Sequence, residues 1–244
     1  MKRIISILLA LALLAVIPFT LASCGDKTDK LGEGACAYAD TRDITGHNVK
    51  YVEICFEGYG RVILLLDATT APKTVANFIS LVESGFYDGL KMHRIIKDFM
   101  IQGGDPQGNG TGGSDNKVEG EFSSNGYTKN DISHIKGVIS MARSDDKDSA
   151  SCQFFICNAD ASSSLDGNYA AFGYVVQGMS VIDDITEDVF PKTAYADYYN
   201  NYTIDPTYNA YKHAVWQYFG NGTVENDEDK PVIKYIKVLD NYEG

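Results

Sequence analysis

Two neighbouring stretches near position 50 have the apolar pattern of a β-hairpin. Residues 50–57 carry an apolar side chain at every second position, and residues 61–67 form a second apolar stretch. A period of two is typical of a strand with a buried face. Because only the short loop Gly58-Tyr59-Gly60 separates the stretches, we predict an antiparallel pair.

Residues 69–85, TTAPKTVANFISLVESG, have the pattern of an amphipathic helix. Thr70 is placed to cap its start, Pro72 is tolerated in a first turn, and Gly85 is placed to end it. Four apolar residues at helical spacing predict one buried face: Val75, Phe78, Ile79 and Val82.

Short strand-like segments and glycine turns follow to about residue 178, without the regular alternation of strands and helices of an α/β fold. Residues 181–185 predict a second short helix, and residues 232–240 predict a closing strand. Between them, residues 190–230 are rich in tyrosine and too aromatic for a solvated linker. We expect this insertion to pack against the body of the domain or against a partner.

The first residues have the layout of an export signal. Lys2 and Arg3 precede a nearly unbroken apolar run, too short for a membrane span, and Leu21-Ala22-Ser23-Cys24 resembles the bacterial lipobox. We predict a lipoprotein signal peptide over residues 1–23 and lipidation of Cys24. The alternative is an ordinary signal peptide with a chance cysteine.

A polar, glycine-bearing stretch without period follows the predicted cleavage point. We expect residues 24–47 to be a flexible tether from Cys24 and residues 48–244 to form the folded domain. The predicted location is therefore the outer face of a bacterial membrane, with the exported protein held by its acyl chains.

Charge narrows the possible partners. The formal net charge of the 244 residues is −12, so the protein repels nucleic-acid phosphates and anionic lipid headgroups. We expect no nucleic-acid partner and no membrane contact except through the lipid anchor. The four later cysteines lack zinc-type spacing; Cys55 and Cys157 lie in apolar strand-like runs, which favours free buried thiols.

GNGTGG at 108–113 satisfies the dinucleotide-binding pattern G-x-G-x-x-G. A phosphate site needs a strand before the glycines and a helix after them. The residues that follow are polar and broken by glycine, with no helical period. We therefore predict a long turn.

Arg94 and Gln102 precede this turn within an apolar stretch, and Gln153 begins a second one, QFFIC. A buried guanidinium is costly unless it is paired, so polar groups within apolar strands often converge on a site. The alternative is an arginine that extends from a strand edge to solvent.

Four ordered segments resemble the signature segments of the cyclophilins: MHRIIKDFMIQGGD, GVISMAR, SCQFFI and LDGNYAAFG. The resemblance runs from about residue 48 to residue 185 and resumes in the last strand. It implies a mainly β fold, a closed eight-stranded antiparallel β-barrel capped by two α-helices, with the tyrosine-rich insertion as an addition.

The resemblance also implies the site residues. Arg94 matches the catalytic arginine, and Gln102 matches the glutamine that supports it. Phe99, Met100, Phe155 and Leu165 match the proline pocket. Ala142 and Arg143 match the segment whose backbone pairs with substrate, Gln153 the adjoining polar position, and Tyr169 a hydrogen-bonding position. Phe172 is expected in the core, and His93 is expected to be a structural, hydrogen-bonded histidine.

This sequence departs from the family pattern at three positions. Tyr169 stands in place of the site histidine, and a tyrosine there can still donate a hydrogen bond. Ser164 replaces a frequent tryptophan, which puts tight cyclosporin binding in doubt. Arg143 replaces a usual asparagine, and since that position acts largely through its backbone, we expect the change to be tolerated.

The implied activity is peptidyl-prolyl cis-trans isomerisation, without cofactor or metal, on proline-containing polypeptides, by a monomer that assists protein folding. The alternative is a catalytically weak proline-peptide-binding module or holdase that uses the same groove. A hydrolase or redox enzyme is disfavoured, because the sequence has neither a G-x-S-x-G nor a C-x-x-C motif.

Overall fold

The structure, a computed structural model, describes residues 30–193, 222–240 and 242. Eight strands form one antiparallel sheet in the order β3-β4-β6-β5-β7-β2-β1-β8. They are β1 Val49–Phe56, β2 Gly60–Asp67, β3 Lys91–Ile96, β4 Met100–Asp105, β5 Val138–Met141, β6 Phe154–Cys157, β7 Ala171–Gln177 and β8 Ile233–Leu239. The predicted mainly β fold, hairpin and closing strand are confirmed.

The two outer strands of this order, β3 and β8, meet at one end. Met92 N–H donates to Pro231 O at 2.9 Å, and Ile233 N–H donates to Leu90 O at 2.8 Å. The described sheet thus has contacts between its edges, while complete closure into a barrel stays a prediction.

Four α-helices lie in the described part of the chain: α1 Tyr38–Thr41, α2 Pro72–Glu83, α3 Ser162–Leu165 and α4 Met179–Val189. The longer two pack on the sheet, α2 against β2 and β8 and α4 against β2 and β3. Both correspond to the predicted helices. None of the described helices is long and apolar enough to cross a bilayer.

The start of α2 corrects one prediction. The Thr70 hydroxyl donates to Asp67 Oδ2 at 2.7 Å and does not cap the helix. The carboxylate of Glu121 takes that role, since it accepts the N–H groups of Lys73 at 3.0 Å and Thr74 at 2.8 Å. A negative charge at this end also suits the helix dipole.

The core contains an aromatic cluster beneath α2. Phe78 lies between Tyr87, Phe154 and Phe172, with ring centres 5.1, 5.6 and 5.2 Å away. All four side chains are fully buried. The prediction that Phe172 belongs to the core is confirmed.

The predicted flexible tether is wrong for residues 30–47. Arg61 N–H donates to Lys30 O and Cys36 N–H donates to Val175 O, both at 2.9 Å. Cys36 is only 2% exposed and packs with Tyr174 of β7 in a small second core. This stretch follows the sheet because its few apolar side chains and its backbone groups find partners there. Residues 1–29, with Cys24, lie outside the described residues.

Two described parts of the tyrosine-rich insertion, at residues 193 and 222–224, lie together next to β3. Thr193 pairs with Val224, and Thr223 pairs with Arg94. Ile95 N–H donates to Gly222 O at 2.8 Å, and Val224 N–H donates to His93 O at 3.0 Å. Residues 194–221, which carry all seven tyrosines of the insertion, lie outside the described residues, so their packing stays a prediction.

Candidate active site

The register of three adjacent strands brings the central site residues together. Arg94 of β3 is paired with Gln102 of β4, and Gln102 is paired with Phe155 of β6. Directly opposed residues in a sheet project to the same face. A cation, an amide and an aromatic ring therefore lie in one row across the sheet.

A cavity of about 260 Å³ opens over this row. Ser164 lines this cavity. So do nine of the ten predicted groove residues: Arg94, Phe99, Met100, Gln102, Ala142, Arg143, Phe155, Leu165 and Tyr169. Gln153 lines a neighbouring cavity of about 340 Å³, which shares Gln102, Ala142 and Arg143 with the first. The structure thus places the whole predicted set around one groove, while the roles of the individual residues stay predictions.

The apolar side of the cavity is formed by buried side chains. Phe99, Met100, Phe155 and Leu165 are each at most 5% exposed. Tyr169 contacts the Phe155 ring edge-on, with centres 5.8 Å apart. This surface has the size and chemistry to hold a small apolar ring.

The ring of Phe155 is also stacked on a buried histidine. The His134 ring lies 6.0 Å from that of Phe155, nearly parallel to it. His134 Nδ1 is 2.8 Å from Asp166 Oδ1, and its Nε2 is 3.0 Å from Ser140 Oγ. Since both ring nitrogens have partners, the histidine gives Phe155 a fixed surface.

Arg94 is one of two arginines that line the cavity, with Arg143 as the other. Arg94 is partly buried, and its Nη1 donates to Gln102 Oε1 at 3.1 Å. Burial lowers the pKa of Arg94 from its ordinary value, and the Tyr169 phenol acts in the opposite direction. An arginine pKa starts so high that the group stays charged at neutral pH. The side chain is therefore a held cation beside the apolar residues of the cavity.

The glycine-rich turn after β4 surrounds the carboxylate of Asp105 and donates backbone hydrogen bonds to it. Asp105 Oδ1 accepts Gln107 N–H at 2.8 Å, and Oδ2 accepts Asn109 N–H at 3.1 Å and Gly110 N–H at 2.5 Å. Burial raises the pKa of Asp105, but the backbone N–H groups outweigh it and hold that pKa below its usual value. No helix begins within residues 106–117, so the predicted long turn is confirmed.

Arg143 is held through its side chain as well, while the expected tolerance of the change from asparagine stays a prediction. The guanidinium lies between two rings, 5.3 Å from the centre of Phe122 and 4.8 Å from that of Tyr169. Its Nε donates to Asn168 O at 2.9 Å, and its Nη1 donates to Ser144 O at 2.7 Å. An asparagine is too short to make this stack.

His93 also differs from its prediction. The side chain is 2% exposed, and neither ring nitrogen has a hydrogen-bond partner in the part of the chain that the structure describes. Burial lowers the pKa of His93 to about 4, while Asp105 acts in the opposite direction, so the ring is neutral at physiological pH. The histidine is structural, but it is not held by hydrogen bonds.

Two residues of the site were missed from the sequence. Phe122 lies in a polar, glycine-rich stretch whose pattern gives no sign that it stacks on Arg143. Asp105 had a recognisable signal, because an aspartate before Pro and Gly is typical of turns that bond their own backbone.

Comparisons with known proteins agree with this geometry. The family model described as cyclophilin type peptidyl-prolyl cis-trans isomerase/CLD matches residues 51–205. A peptidyl-prolyl cis-trans isomerase of Helicobacter pylori is 39% identical over 130 residues, which cover 52% of this chain and 76% of the relative. Peptidyl-prolyl cis-trans isomerase A of Dickeya dadantii is 41% identical over 140 residues, covering 54% and 71%.

A solved structure is similar over a larger part of the chain. It is the cyclophilin type peptidyl-prolyl cis-trans isomerase of Cryptosporidium parvum in the presence of the dipeptide Ala-Pro, with a TM-score of 0.57 and 26% identity. The likeness covers 78% of this chain and 99% of that structure. By family model, relatives and fold together, this chain belongs to the cyclophilin-type peptidyl-prolyl cis-trans isomerases.

Proposed function

We propose that the chain accelerates rotation about X-Pro bonds of exported or surface proteins, and thereby assists their folding, with Arg94 as the catalytic residue. The observation that carries the proposal is the held guanidinium of Arg94 at the edge of the apolar cavity. The Cryptosporidium relative, whose structure was determined in the presence of Ala-Pro, supports a proline-containing substrate.

The chemistry asks for one well-placed charge. The barrier to prolyl rotation is about 18–20 kcal/mol, because the nitrogen lone pair is shared with the carbonyl group. In the twisted transition state the lone pair is localised on nitrogen, where a donor from Arg94 stabilises it more than in either planar state. Each stabilisation of about 1.4 kcal/mol gives tenfold in rate.

The apolar residues supply the grip for this step. In the proposal, Phe99, Met100, Phe155 and Leu165 hold the proline ring while the acyl side of the bond rotates. Gln102 keeps the Arg94 fork in place, and the low exposure of the cavity strengthens the electrostatic contact.

The test is exchange NMR on a short X-Pro peptide with wild-type protein, Arg94→Ala and Arg94→Lys. We expect wild type to accelerate exchange, and Arg94→Ala to slow the exchange of bound peptide by about a hundredfold or more. Lysine should recover only part of the rate, because it lacks the planar fork. Arg61→Ala is the control, since Arg61 pairs with Glu53 at 2.9 Å and lies on β2.

A folded wild type that binds the peptide and leaves its exchange rate unchanged would favour the alternative, a proline-peptide-binding module or holdase. If Arg61→Ala lost as much activity as Arg94→Ala, the result would contradict the catalytic role proposed for Arg94.

The proposed location rests on the sequence of residues 1–24. A lipid on Cys24 would anchor the isomerase at the outer face of a bacterial membrane, where newly exported chains emerge. Labelling of producing cells with a radioactive fatty acid tests this. Incorporation into wild type and its loss in Cys24→Ser are expected; equal incorporation in both would exclude Cys24 as the lipidated residue.

For the scaffold we propose a monomer whose sheet closes into a barrel between β3 and β8. The hydrogen bonds of Met92 and Ile233 across this edge support closure. Slow amide exchange at both residues is expected, and exchange at the rate of exposed loops would contradict it.

A further inference from the structure

A chain of hydrogen bonds connects a buried carboxylate to Arg94. At one end is Asp105, 1% exposed, whose two oxygens gather three backbone N–H groups of the glycine-rich turn. The turn is tight at this point: a side chain on Gly112 would come within 2.0 Å of Asp105 Oδ1. The carboxylate therefore fills the inside of the turn and fixes its shape.

The carbonyl groups of the same turn hold the next member. Gly112 O accepts from Gln153 Nε2 at 2.7 Å, and Gly110 O accepts from the same nitrogen at 3.1 Å. Gln153 Oε1 accepts Gln102 Nε2 at 2.9 Å, and Gln102 Oε1 accepts Arg94 Nη1 at 3.1 Å.

Chemistry fixes the direction of every bond in this chain. A guanidinium only donates and a backbone carbonyl only accepts. Gln102 must therefore turn its oxygen to Arg94 and its amide nitrogen to Gln153, and Gln153 must turn its nitrogen to the glycine carbonyls. A reversed amide at either position would place donor against donor or acceptor against acceptor, so both side chains have one favoured orientation.

We propose that Asp105 is a positioning residue for catalysis. It holds the turn so that the carbonyls of Gly110 and Gly112 orient Gln153, which orients Gln102, which fixes the guanidinium of Arg94. This inference rests on the proposed function, in which Arg94 acts on the prolyl bond. It assigns the glycine-rich turn a role in aligning the site.

Asp105→Ala and Asp105→Asn test the proposal, with Asp67→Asn as the matched control. Asp67 is also a buried carboxylate that accepts backbone N–H groups, of Thr69 at 3.0 Å and Thr70 at 3.1 Å, but it ends β2 on another part of the sheet. Exchange NMR gives both the dissociation constant of an X-Pro peptide and the exchange rate of the bound peptide.

We expect Asp105→Ala to slow exchange of the bound peptide by about tenfold, because a misplaced catalytic group loses rate. The dissociation constant should change by less than about twofold, since the apolar cavity that grips proline is intact. Asp105→Asn, which keeps one acceptor oxygen, should fall between wild type and alanine. Asp67→Asn should lower the melting temperature without slowing bound-peptide exchange.

Two further readouts separate positioning from general damage to the fold. The effect of Asp105→Asn should largely vanish in a Gln153→Leu background, because both changes break the same path. The NMR signals of the Arg94 Nη–H groups should shift in Asp105→Asn and remain unchanged in Asp67→Asn.

Weaker peptide binding with an unchanged bound-peptide rate would overturn the proposal, as would additive effects of Asp105→Asn and Gln153→Leu. A wild type that does not accelerate exchange would instead overturn the proposed function. In that case an unshifted Arg94 signal in Asp105→Asn would refute the positioning path, and a shifted one would support it.

Discussion

The guanidinium carbon of Arg143 lies 4.8 Å above the ring of Tyr169, at the point where the two cavities of the groove meet. The same guanidinium carbon lies 5.3 Å from the centre of the Phe122 ring. The arginine thus joins two loops that are distant in sequence, and it fixes the tyrosine that contacts Phe155.

Arg143→Asn should therefore affect more than surface charge. Cation–π contacts contribute about 0.5–2 kcal/mol each, depending on exposure, so we expect a lower free energy of unfolding and weaker peptide binding as Tyr169 becomes mobile. Urea unfolding and peptide titration measure the two effects. Phe122→Leu should reproduce part of the loss, and wild-type binding by Arg143→Asn would show that the stack has no role in the groove.

Asp67 should make stability sensitive to acid. Burial raises the pKa of Asp67, but hydrogen bonds from Thr70 and His47 outweigh it, so its pKa in the folded protein is below the usual value. Its contribution is then complete above the unfolded pKa of about 4 and is lost as pH falls through the folded pKa.

Asp67→Asn should lower the free energy of unfolding at neutral pH by about 1–3 kcal/mol, with a smaller further loss than wild type on acidification. Urea unfolding at a series of pH values measures both. Arg42 lies 3.7 Å from Asp67 and 2.6 Å from Asp131. Asp131→Asn is the control, because Asp131 pairs with the same arginine but is 73% exposed. A parallel pH dependence in wild type and Asp67→Asn would contradict the prediction.

Gly222 should resist substitution more than Gly58, a glycine of similar conformation that lies in open space. Its φ is +73°, and a Cβ there would lie 2.3 Å from Ile96 Cγ1 and 2.8 Å from Ile95 O. Gly222→Ala should cost about 1–3 kcal/mol in stability and slow catalysis, because it displaces β3 beside Arg94. Gly58→Ala is the control, since Gly58 has a φ of +79° and nothing within 4 Å of the added carbon. Equal losses of stability in both variants would mean that the positive φ alone causes them and that the close contacts of Gly222 have no effect.

The four cysteines of the described residues should be unreactive in the native protein. Within the described residues, Cys36, Cys55, Cys152 and Cys157 form no disulfide, and each is at most 2% exposed. Burial raises the pKa of Cys36, Cys152 and Cys157, so each stays a protonated and unreactive thiol at mildly alkaline pH.

Iodoacetamide followed by peptide mass mapping checks this prediction. We expect no labelling of these four thiols in native protein and complete labelling in concentrated urea. Fast native labelling of Cys36 would mean that residues 30–47 detach from the sheet, and disulfide-linked peptides would exclude free thiols.

The spacing of residues close together in the sequence predicted those elements that depend on neighbouring residues alone. The hairpin of β1 and β2 and the helix α2 follow from apolar spacing and from turn and helix-ending residues a few positions away. Their observed bounds lie close to the predicted ones for this reason. The four segments that resemble the cyclophilin signatures also predicted the groove residues, because the spacing of residues within each segment matches the family pattern.

Contacts between distant parts of the chain decided the rest. The cap of α2 comes from Glu121, 48 residues beyond Lys73, so no residue near the helix indicates it. Residues 30–47 look like a polar tether, yet they find partners such as Val175, far along the chain. Local composition carries no information about such a partner.

The site shows the same division. The sequence alone determined that Arg94, Gln102 and Phe155 lie within apolar strands, and the family resemblance attached roles to them. Only the tertiary structure placed them in one row, because the pairing register of β3, β4 and β6 sets which residues are opposite. A shift of one residue in that register would turn a side chain to the other face of the sheet.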